Sequence, residues 1–352
     1  MEYPKFKVCC RCFTFNQAKY ITDAMNGFTM QQTSFPFVCT IVDDASTDGE
    51  QEVIRKYVED NFDFSEGSVA YNKETDYAYV TYAQHKTNKN CYFVVLYLKE
   101  NHYSQRKPKM GYLSEWRDMC EYEALCEGDD YWIAKDKLQT QVDVMDNNPQ
   151  CAMCYSSVTY YYQNFKSFSK KTFGGKSESF KDLINDNTVP TPTVLLRLNC
   201  LEEYNKDINP QNKKWLMGDY PMWLYLSKKY EIKFLRGEVL AVYRVLDNSA
   251  SHNSDYREKE KFIKSTVDIQ TFFTNYFGCT DLLEKQKLEK YLFSNAVFYG
   301  EREKAIKLFK KIESPSWNMR IKYFIIQNNI LYKICKGRLF QTLNHYCPVK
   351  VD

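Results

Sequence analysis

Two adjacent carboxylates, Asp129-Asp130, follow the apolar run Ala124-Leu125-Cys126 within the stretch Glu127-Gly128-Asp129-Asp130-Tyr131-Trp132. A short apolar run that ends in acids reads as a buried parallel strand delivering carboxylates to the C-terminal edge of its sheet, where open α/β folds bind ligands. Like charges side by side are costly unless solvated or neutralised. A hard divalent cation bridging a phosphate substrate neutralises them with oxygen ligands and few protein groups. The same six residues also suit an acidic turn facing water. A second pair, Asp43-Asp44, ends the apolar run 37–42 and precedes Ala45-Ser46-Thr47-Asp48-Gly49. In a nucleotide-binding sheet an acid at that point accepts hydrogen bonds from ribose hydroxyls or a base N–H. A third acid, Asp219, stands two residues before Pro221, which fits the first turn of a helix bearing Trp223, Leu224 and Leu226. Asp219 is then either a helix cap or a base for a hydroxyl nucleophile.

The surrounding pattern predicts the elements that position these acids. Residues 6–15 are strand-like and stop at Asn16, a good N-cap residue. Ala18, Ile21, Ala24, Met25 and Phe28 follow at helical spacing. After the strand 37–42, Thr47 or Asp48 caps a helix whose buried stripe is Val53, Ile54, Tyr57 and Val58. The outcome is a β-α-β-α unit. Residues 69–71 and 77–82 form a hairpin across 72–76, and 91–98 is a continuous apolar run suited to a central strand. A helix over 135–147 and a strand over 151–161 come next, then a polar stretch, 163–179, read as a mobile loop. Its Gly174-Gly175-Lys176-Ser177 mimics a phosphate-binding loop but has Lys170 where the leading glycine is required.

Three segments in order, Phe13-Thr14-Phe15-Asn16-Gln17, Ile41-Val42-Asp43-Asp44-Ala45-Ser46-Thr47-Asp48-Gly49 and Glu127-Gly128-Asp129-Asp130-Tyr131-Trp132, resemble successive signatures of the family 2 glycosyltransferases. The block from Trp215 to Leu224 resembles the acidic helix start that carries that family's catalytic base, and Tyr243-Arg244-Val245 its closing motif. The resemblance covers roughly the first 250 residues. It implies an α/β, GT-A-like nucleotide-binding fold, with a mostly parallel central sheet flanked by helices and a C-terminal helical region. The implied activity is inverting sugar transfer from a nucleotide-diphosphate donor, a UDP-sugar being favoured, to a glycan or lipid-linked acceptor in bacterial surface-polysaccharide assembly. It assigns Asp219 as base; Phe13, Thr14, Asn16, Asp44, Asp129 and Arg244 to the donor; and Asp130 to a Mg²⁺ or Mn²⁺ ion. Tyr131 and Trp132 line the sugar pocket or pack beneath it, and Thr191-Pro192-Thr193 leads into a short strand beside the acceptor groove. Arg106, Lys107 and Lys109 are basic candidates for the diphosphate. Where many relatives place a histidine two residues after the closing arginine, this chain has Leu246. His252, six residues farther along, is the substitute candidate for the metal or the diphosphate, or else a surface histidine.

A chain of 352 residues suits one large domain, 1–253, plus a helical accessory region, 254–352. Its net charge of +3 leaves no strong footprint for nucleic acid. The first residues lack an apolar signal region, and no apolar run reaches the roughly 18 residues that span a bilayer, so a cytoplasmic enzyme with reduced thiols is expected. Cys9/Cys12 and Cys151/Cys154 have zinc-like spacing, but both pairs fall in strand patterns. The acid-free, basic stretch 319–339 could lie on an anionic membrane at the inner face, although an apolar helical face more often packs internally. Nucleotidylyltransferases and dehydrogenases are disfavoured because 9–17 contains no glycine. The alternative from another class is a noncatalytic nucleotide-sugar or glycan-binding module of the same fold.

Overall fold

Strands without polar alternation build the centre of the sheet in the computed structural model, which describes residues 3–246, 255–332 and 334. The predicted β-α-β-α unit is β1 (Val8–Thr14), α1 (Ile21–Thr29), β2 (Phe37–Asp43) and α2 (Glu50–Asn61). The hairpin β3 (Tyr71–Glu74) and β4 (Ala78–Gln84) leads into β5 (Cys91–Leu98). Every residue of β2 and β5 is buried, as expected for strands covered on both faces. Then come α3 (Ser114–Arg117), β6 (Tyr122–Leu125), β7 (Tyr131–Trp132), α4 (Lys137–Asp146), β8 (Cys151–Tyr162) and β9 (Ser167–Phe173). The chain continues through α5 (Phe180–Leu183), β10 (Leu195–Arg197), α6 (Leu198–Ile208), α7 (Tyr220–Lys229) and β11 (Glu231–Val245).

The strand order is β3-β4-β5-β2-β1-β6-β10-β8-β11-β7, with β9 paired to β8. β5, β2, β1 and β6 run parallel, whereas β4 on β5 and β10 on β6 are antiparallel. The α/β class is therefore realised as a mixed sheet with a parallel centre. Because those four strands share a direction, the chain leaving each of them emerges at one edge. That edge collects residues 14–18, 44–49, 99–109 and 126–130.

Three expectations change. Asn16 does not cap α1: it sits at φ 53° and the cap position is Tyr20. The cap of α2 is Gly49, at φ 92°, and Asp48 contributes only by accepting from Glu50 N at 3.1 Å. The segment 163–179 is not a loop throughout, since β9 occupies its middle. This strand is exposed and polar, so it lacks the apolar alternation that marks a half-buried strand in sequence. Tyr155 Oη donates toward the carbonyls of Gly175 (2.6 Å) and Ser177 (2.9 Å), tying the glycine pair to β8.

The chain divides into two interleaved units. The first comprises Met1–Tyr161, Ser167–Asn212 and Met222–Arg244; the second comprises Tyr162–Lys166, Lys213–Pro221 and Val245–Asp352. Within the second, α8 (Tyr256–Tyr276), α9 (Lys287–Phe298), α10 (Arg302–Phe309) and α11 (Trp317–Gln327) bury Phe293, Ala296, Ala305, Met319 and Ile326 together. No helix among the described residues is long and apolar enough to cross a membrane. The expected surface stretch 319–339 is described as far as 332 and at 334, and the rest lies outside the described residues. The cysteines of both zinc-spaced pairs are buried in β1 and β8, where burial pushes the Cys9, Cys12, Cys151 and Cys154 thiols up.

Lys137, the first residue of α4, has no exposed surface. Its Nζ donates to Gln141 Oε1 at 2.6 Å and stands 4.1 Å from the centre of the Trp132 ring. Burial pulls its pKa from 10.5 down to about 8. Between those values the unfolded chain binds the proton and the folded chain has released it, so this group's contribution to stability rises with pH from 8 to 10.5 and is flat below 8. The difference in unfolding free energy between the native chain and Lys137→Met should therefore move by about 3 kcal/mol in favour of the native chain across that window. Urea midpoints at the two ends measure it; parallel pH curves for the two proteins would refute the desolvated amine.

Candidate active site at the carboxyl edge of the sheet

A buried carboxylate organises the turns after β1 and β2. Glu50, the first residue of α2, is fully buried. Gln17 N and Ser46 Oγ donate to its Oε2, each at 2.8 Å, and Thr14 Oγ1 donates to its Oε1. Ser46 Oγ in turn accepts from Asn16 N at 2.8 Å, and Asn16 Oδ1 accepts from Thr47 N at 2.8 Å. Asp48 Oδ2 accepts from Ala18 N at 3.0 Å. The backbone N–H groups left over at two strand ends are thus satisfied by side chains of the opposite turn. Burial pushes the Glu50 carboxyl up, while the Thr14 hydroxyl, Gln17 N–H and Ser46 pull it back. Sequence reading missed Glu50, because an acid in the first turn of a helix looks like ordinary dipole complementarity.

Asp44 does the same for the loop after β5. It is buried; its Oδ1 accepts from His102 N (2.8 Å), and its Oδ2 from Tyr103 N (3.0 Å) and Lys109 Nζ (2.8 Å). Lys109 also lies 4.9 Å from the Phe13 ring. Of the basic candidates, Lys109 is committed to Asp44 and Lys107 to Glu100, whereas Arg106 is exposed at φ 56°. Asp43 Oδ1 accepts from Ser46 N (3.1 Å) and Gln51 Nε2 (2.6 Å). Its Oδ2 is buried without a hydrogen-bond partner, and burial pushes the group up.

The acidic turn between β6 and β7 closes against both. A Cβ on Gly128 would lie 2.3 Å from Thr14 Oγ1 and 2.5 Å from Gln17 Oε1, so only glycine lets the turn approach β1 this closely. Asp130 is 5% exposed and its Oδ1 accepts from Arg244 N at 2.8 Å. Arg244 Nε donates to the Asp129 carbonyl at 2.8 Å and its Nη2 to Asp23 Oδ2 at 2.6 Å. The guanidinium lies 4.8, 5.2 and 5.5 Å from the rings of Tyr20, Tyr131 and Tyr161. Glu127 and Asp129 keep part of their surface in solvent, although protein surrounds most of each carboxyl. Burial drives Glu127 up to about 7, opposed chiefly by Arg11 and reinforced by Asp129. Burial also raises Asp129, and burial with the Asp129 charge raises Asp130 well above the usual carboxylate range. Three neighbouring acids held up in this way are what a divalent cation would relieve. Among the described residues no three His, Cys, Asp or Glu side chains form a ready-made metal cage. An ion here would take two protein carboxylates at most and complete its shell with water and phosphate, as Mg²⁺ does.

Several expected pocket residues serve the scaffold instead. Trp132 is 2% exposed, with Nε1 donating to the Pro192 carbonyl at 2.8 Å and its ring packed on Phe28 and Lys137; no face remains for a sugar. Thr193 is buried, its hydroxyl bonded to the Pro190 and Ser156 carbonyls at 2.8 and 3.1 Å, which replaces the acceptor contact expected of it. Arg244 is 5% exposed and occupied by Asp23 and Asp129, so it clamps the acidic turn rather than standing open to phosphate. Asp130 is the more buried member of its pair and Asp129 the more open. Tyr131 and Thr191 remain half-buried. Asp219 is half-buried immediately before α7, its Oδ1 accepting from Tyr220 N at 2.7 Å. Its segment belongs to the second unit, where Leu216 N donates to Ser265 Oγ (2.8 Å) and Trp215 Nε1 to Asp268 Oδ2 (3.0 Å), pinning it on α8. His252 lies outside the described residues.

Comparison with known proteins adds relatives to this geometry. No family model matches the chain. Rv1520 of Mycobacterium tuberculosis, an uncharacterized protein, is 27% identical over 260 residues, which cover 71% of this chain and 61% of that one. The chain thus spans about three fifths of the length of its mycobacterial relatives. TuaG of Bacillus subtilis, named provisionally as a teichuronic acid biosynthesis glycosyltransferase, is 25% identical over 264 residues, 72% of this chain and 89% of TuaG. In fold, the chain is similar to the mannosyltransferase PcManGT from Pyrobaculum calidifontis, solved with GDP-Man and Mn²⁺. The TM-score is 0.50 at 13% identity, covering 97% of this chain and 85% of that one. Motif order and the likeness to TuaG make the chain similar to the family 2 glycosyltransferases, and its sheet gives it a GT-A-like fold.

Proposed function

We propose that this chain transfers a sugar, with inversion, from a nucleotide-diphosphate donor to an acceptor hydroxyl in surface-polysaccharide assembly. The observation that carries the reading is the meeting of four turns, after β1, β2, β5 and β6, at one sheet edge around a cluster of acids with raised pKa values. The teichuronic acid context of TuaG and the GDP-Man and Mn²⁺ bound to PcManGT support it. A UDP-sugar is the favoured donor, and a glycan or lipid-linked molecule the acceptor. The enzyme works in the cytoplasm and meets a lipid-linked acceptor at the inner face of the membrane.

Asp129, with Asp130 behind it, would hold a Mg²⁺ or Mn²⁺ ion. Such an ion, when bound, neutralises negative charge growing on the leaving diphosphate. Asp44 and the loop it anchors face the nucleoside, and Phe13, Thr14 and Asn16 shape the neighbouring wall. Arg244 and Glu50 are positioning residues: the first fixes the backbone of Asp129, the second locks the turns that flank Gly128. Asp219 takes the proton of the attacking hydroxyl, a step for which a sugar hydroxyl needs help at neutral pH. Tyr131 and Thr191, both half-buried, border the sugar.

Asp219→Asn should lower turnover by about a thousandfold while leaving donor affinity near native. Single-turnover transfer followed by mass spectrometry across a panel of UDP- and GDP-sugars measures the first, and calorimetry with UDP, GDP and Mn²⁺ the second. Near-native transfer by a folded Asp219→Asn removes it as the base. Nucleotide binding by the native chain with neither transfer nor donor hydrolysis favours the noncatalytic module.

Glu50→Ala leaves Gln17 N–H and two hydroxyls without their acceptor. It should lower unfolding free energy by about 2 kcal/mol and reduce kcat/KM through donor KM, with Glu50→Gln intermediate. Equal stability and kinetics in all three proteins would show that the turns hold themselves.

A further inference from the structure

A helix at the surface of a globular unit normally carries polar residues along the middle of its exposed face. α11 does not. Trp317, Ile321 and Phe324, spaced four and three residues apart, form one vertical stripe and are 77%, 42% and 64% exposed. The opposite side is also apolar and is properly used, for Met319 and Ile326 pack into the core shared with α9 and α10. The helix is therefore apolar around most of its circumference but covered on one side only. Ile330 and Ile334, 70% and 71% exposed, extend the bare surface past the end of α11.

Charge names the occupant. From Ser314 to the last residue the basic side chains are Arg320, Lys322, Lys333, Lys336, Arg338 and Lys350, against one acid, Asp352. The rest of the chain carries a net charge of −2, so the +3 of the whole molecule originates in this stretch. Arg320 is exposed beside the stripe. An indole, a phenyl ring and branched aliphatics bordered by Arg320, with no acid on the helix and a basic excess in the sequence around it, match the interfacial zone of a bilayer with anionic headgroups. There the rings enter the headgroup boundary and the Arg320 guanidinium meets phosphate. A protein partner of ordinary composition does not call for the removal of acids from one stretch alone.

We propose that the Trp317–Ile321–Phe324 stripe docks the enzyme on an anionic phospholipid surface. The purpose of the contact, delivery to a lipid-linked acceptor, rests on the function proposed above; the contact itself is read separately from catalysis. The test compares the full chain with the triple variant Trp317→Ser, Ile321→Ser, Phe324→Ser. Flotation uses vesicles of equal parts phosphatidylglycerol and phosphatidylcholine, and vesicles of phosphatidylcholine alone. The native chain should float with the mixed vesicles and weakly or not at all with the neutral ones, and the variant should lose roughly a hundredfold in partitioning. Trp116, Trp132 and Trp223 are buried and Trp215 is half-buried, so the part of the blue shift of tryptophan emission on adding mixed vesicles that the variant loses reads Trp317. Transfer to a soluble acceptor should be unchanged in the variant. If transfer is absent but flotation and its loss are observed, the docking surface stands and the proposed function falls. Equal flotation of both proteins, or no flotation of the native chain, overturns the docking surface. So does a native dimer that the variant abolishes without vesicles present, since the stripe would then belong to a second copy.

Discussion

Acids gathered at the end of a parallel sheet must be given hydrogen-bond donors or they will not stay there. This requirement governs the whole candidate site. Asp44 takes two backbone N–H groups and a lysine; Glu50 takes one N–H and two hydroxyls; Asp130 takes the N–H of Arg244. Each of these carboxylates is an anchor that draws a turn toward the sheet edge. Glu127 and Asp129 keep surface in solvent. The acids left partly open to solvent are thus positioned by a second set of acids that has been closed.

The same division separates what the residues announce from what they conceal. The strands over 37–43 and 91–98 stand out because uninterrupted apolar runs of that length, bounded by turn residues, suit a strand buried on both faces. Asp43-Asp44 and Glu127-Gly128-Asp129-Asp130 are visible because acids after such runs are unusual. Glu50, by contrast, binds residues more than thirty positions away, and nothing in its local window distinguishes it from any helix-starting glutamate. Asn16 is a good cap residue that the fold instead uses at a positive φ to bridge Ser46 and Thr47. Trp132 and Thr193 follow the same rule: a motif fixes where a residue sits in the chain, while its neighbours across the sheet decide which way it is spent. β9 escaped notice because an exposed strand paired to β8 at the side of the sheet has no buried face to impose a pattern.

Electrostatics ties this site to the larger scaffold. Arg11 and Arg117 flank the fully buried Glu123 on β6, one strand position before the run that leads to the acidic turn. Removing one partner of such a buried pair is far more damaging than replacing the whole set with apolar groups. Farther along the chain, Lys137 rests its amine on the Trp132 ring and donates to Gln141. These cations are balanced by a ring and an amide as well as by a carboxylate.

The clamp on Asp44 has a consequence for nucleoside recognition. Both of its oxygens already hold partners drawn from residues 102–109. A ribose or base that sought this carboxylate would have to displace the Lys109 ammonium or peel away two main-chain amides. Selectivity at that point would be a trade between equivalent partners, and its yield in affinity would be small. The released lysine would then be the new element, a mobile cation set free at the sheet edge by the very group that evicted it.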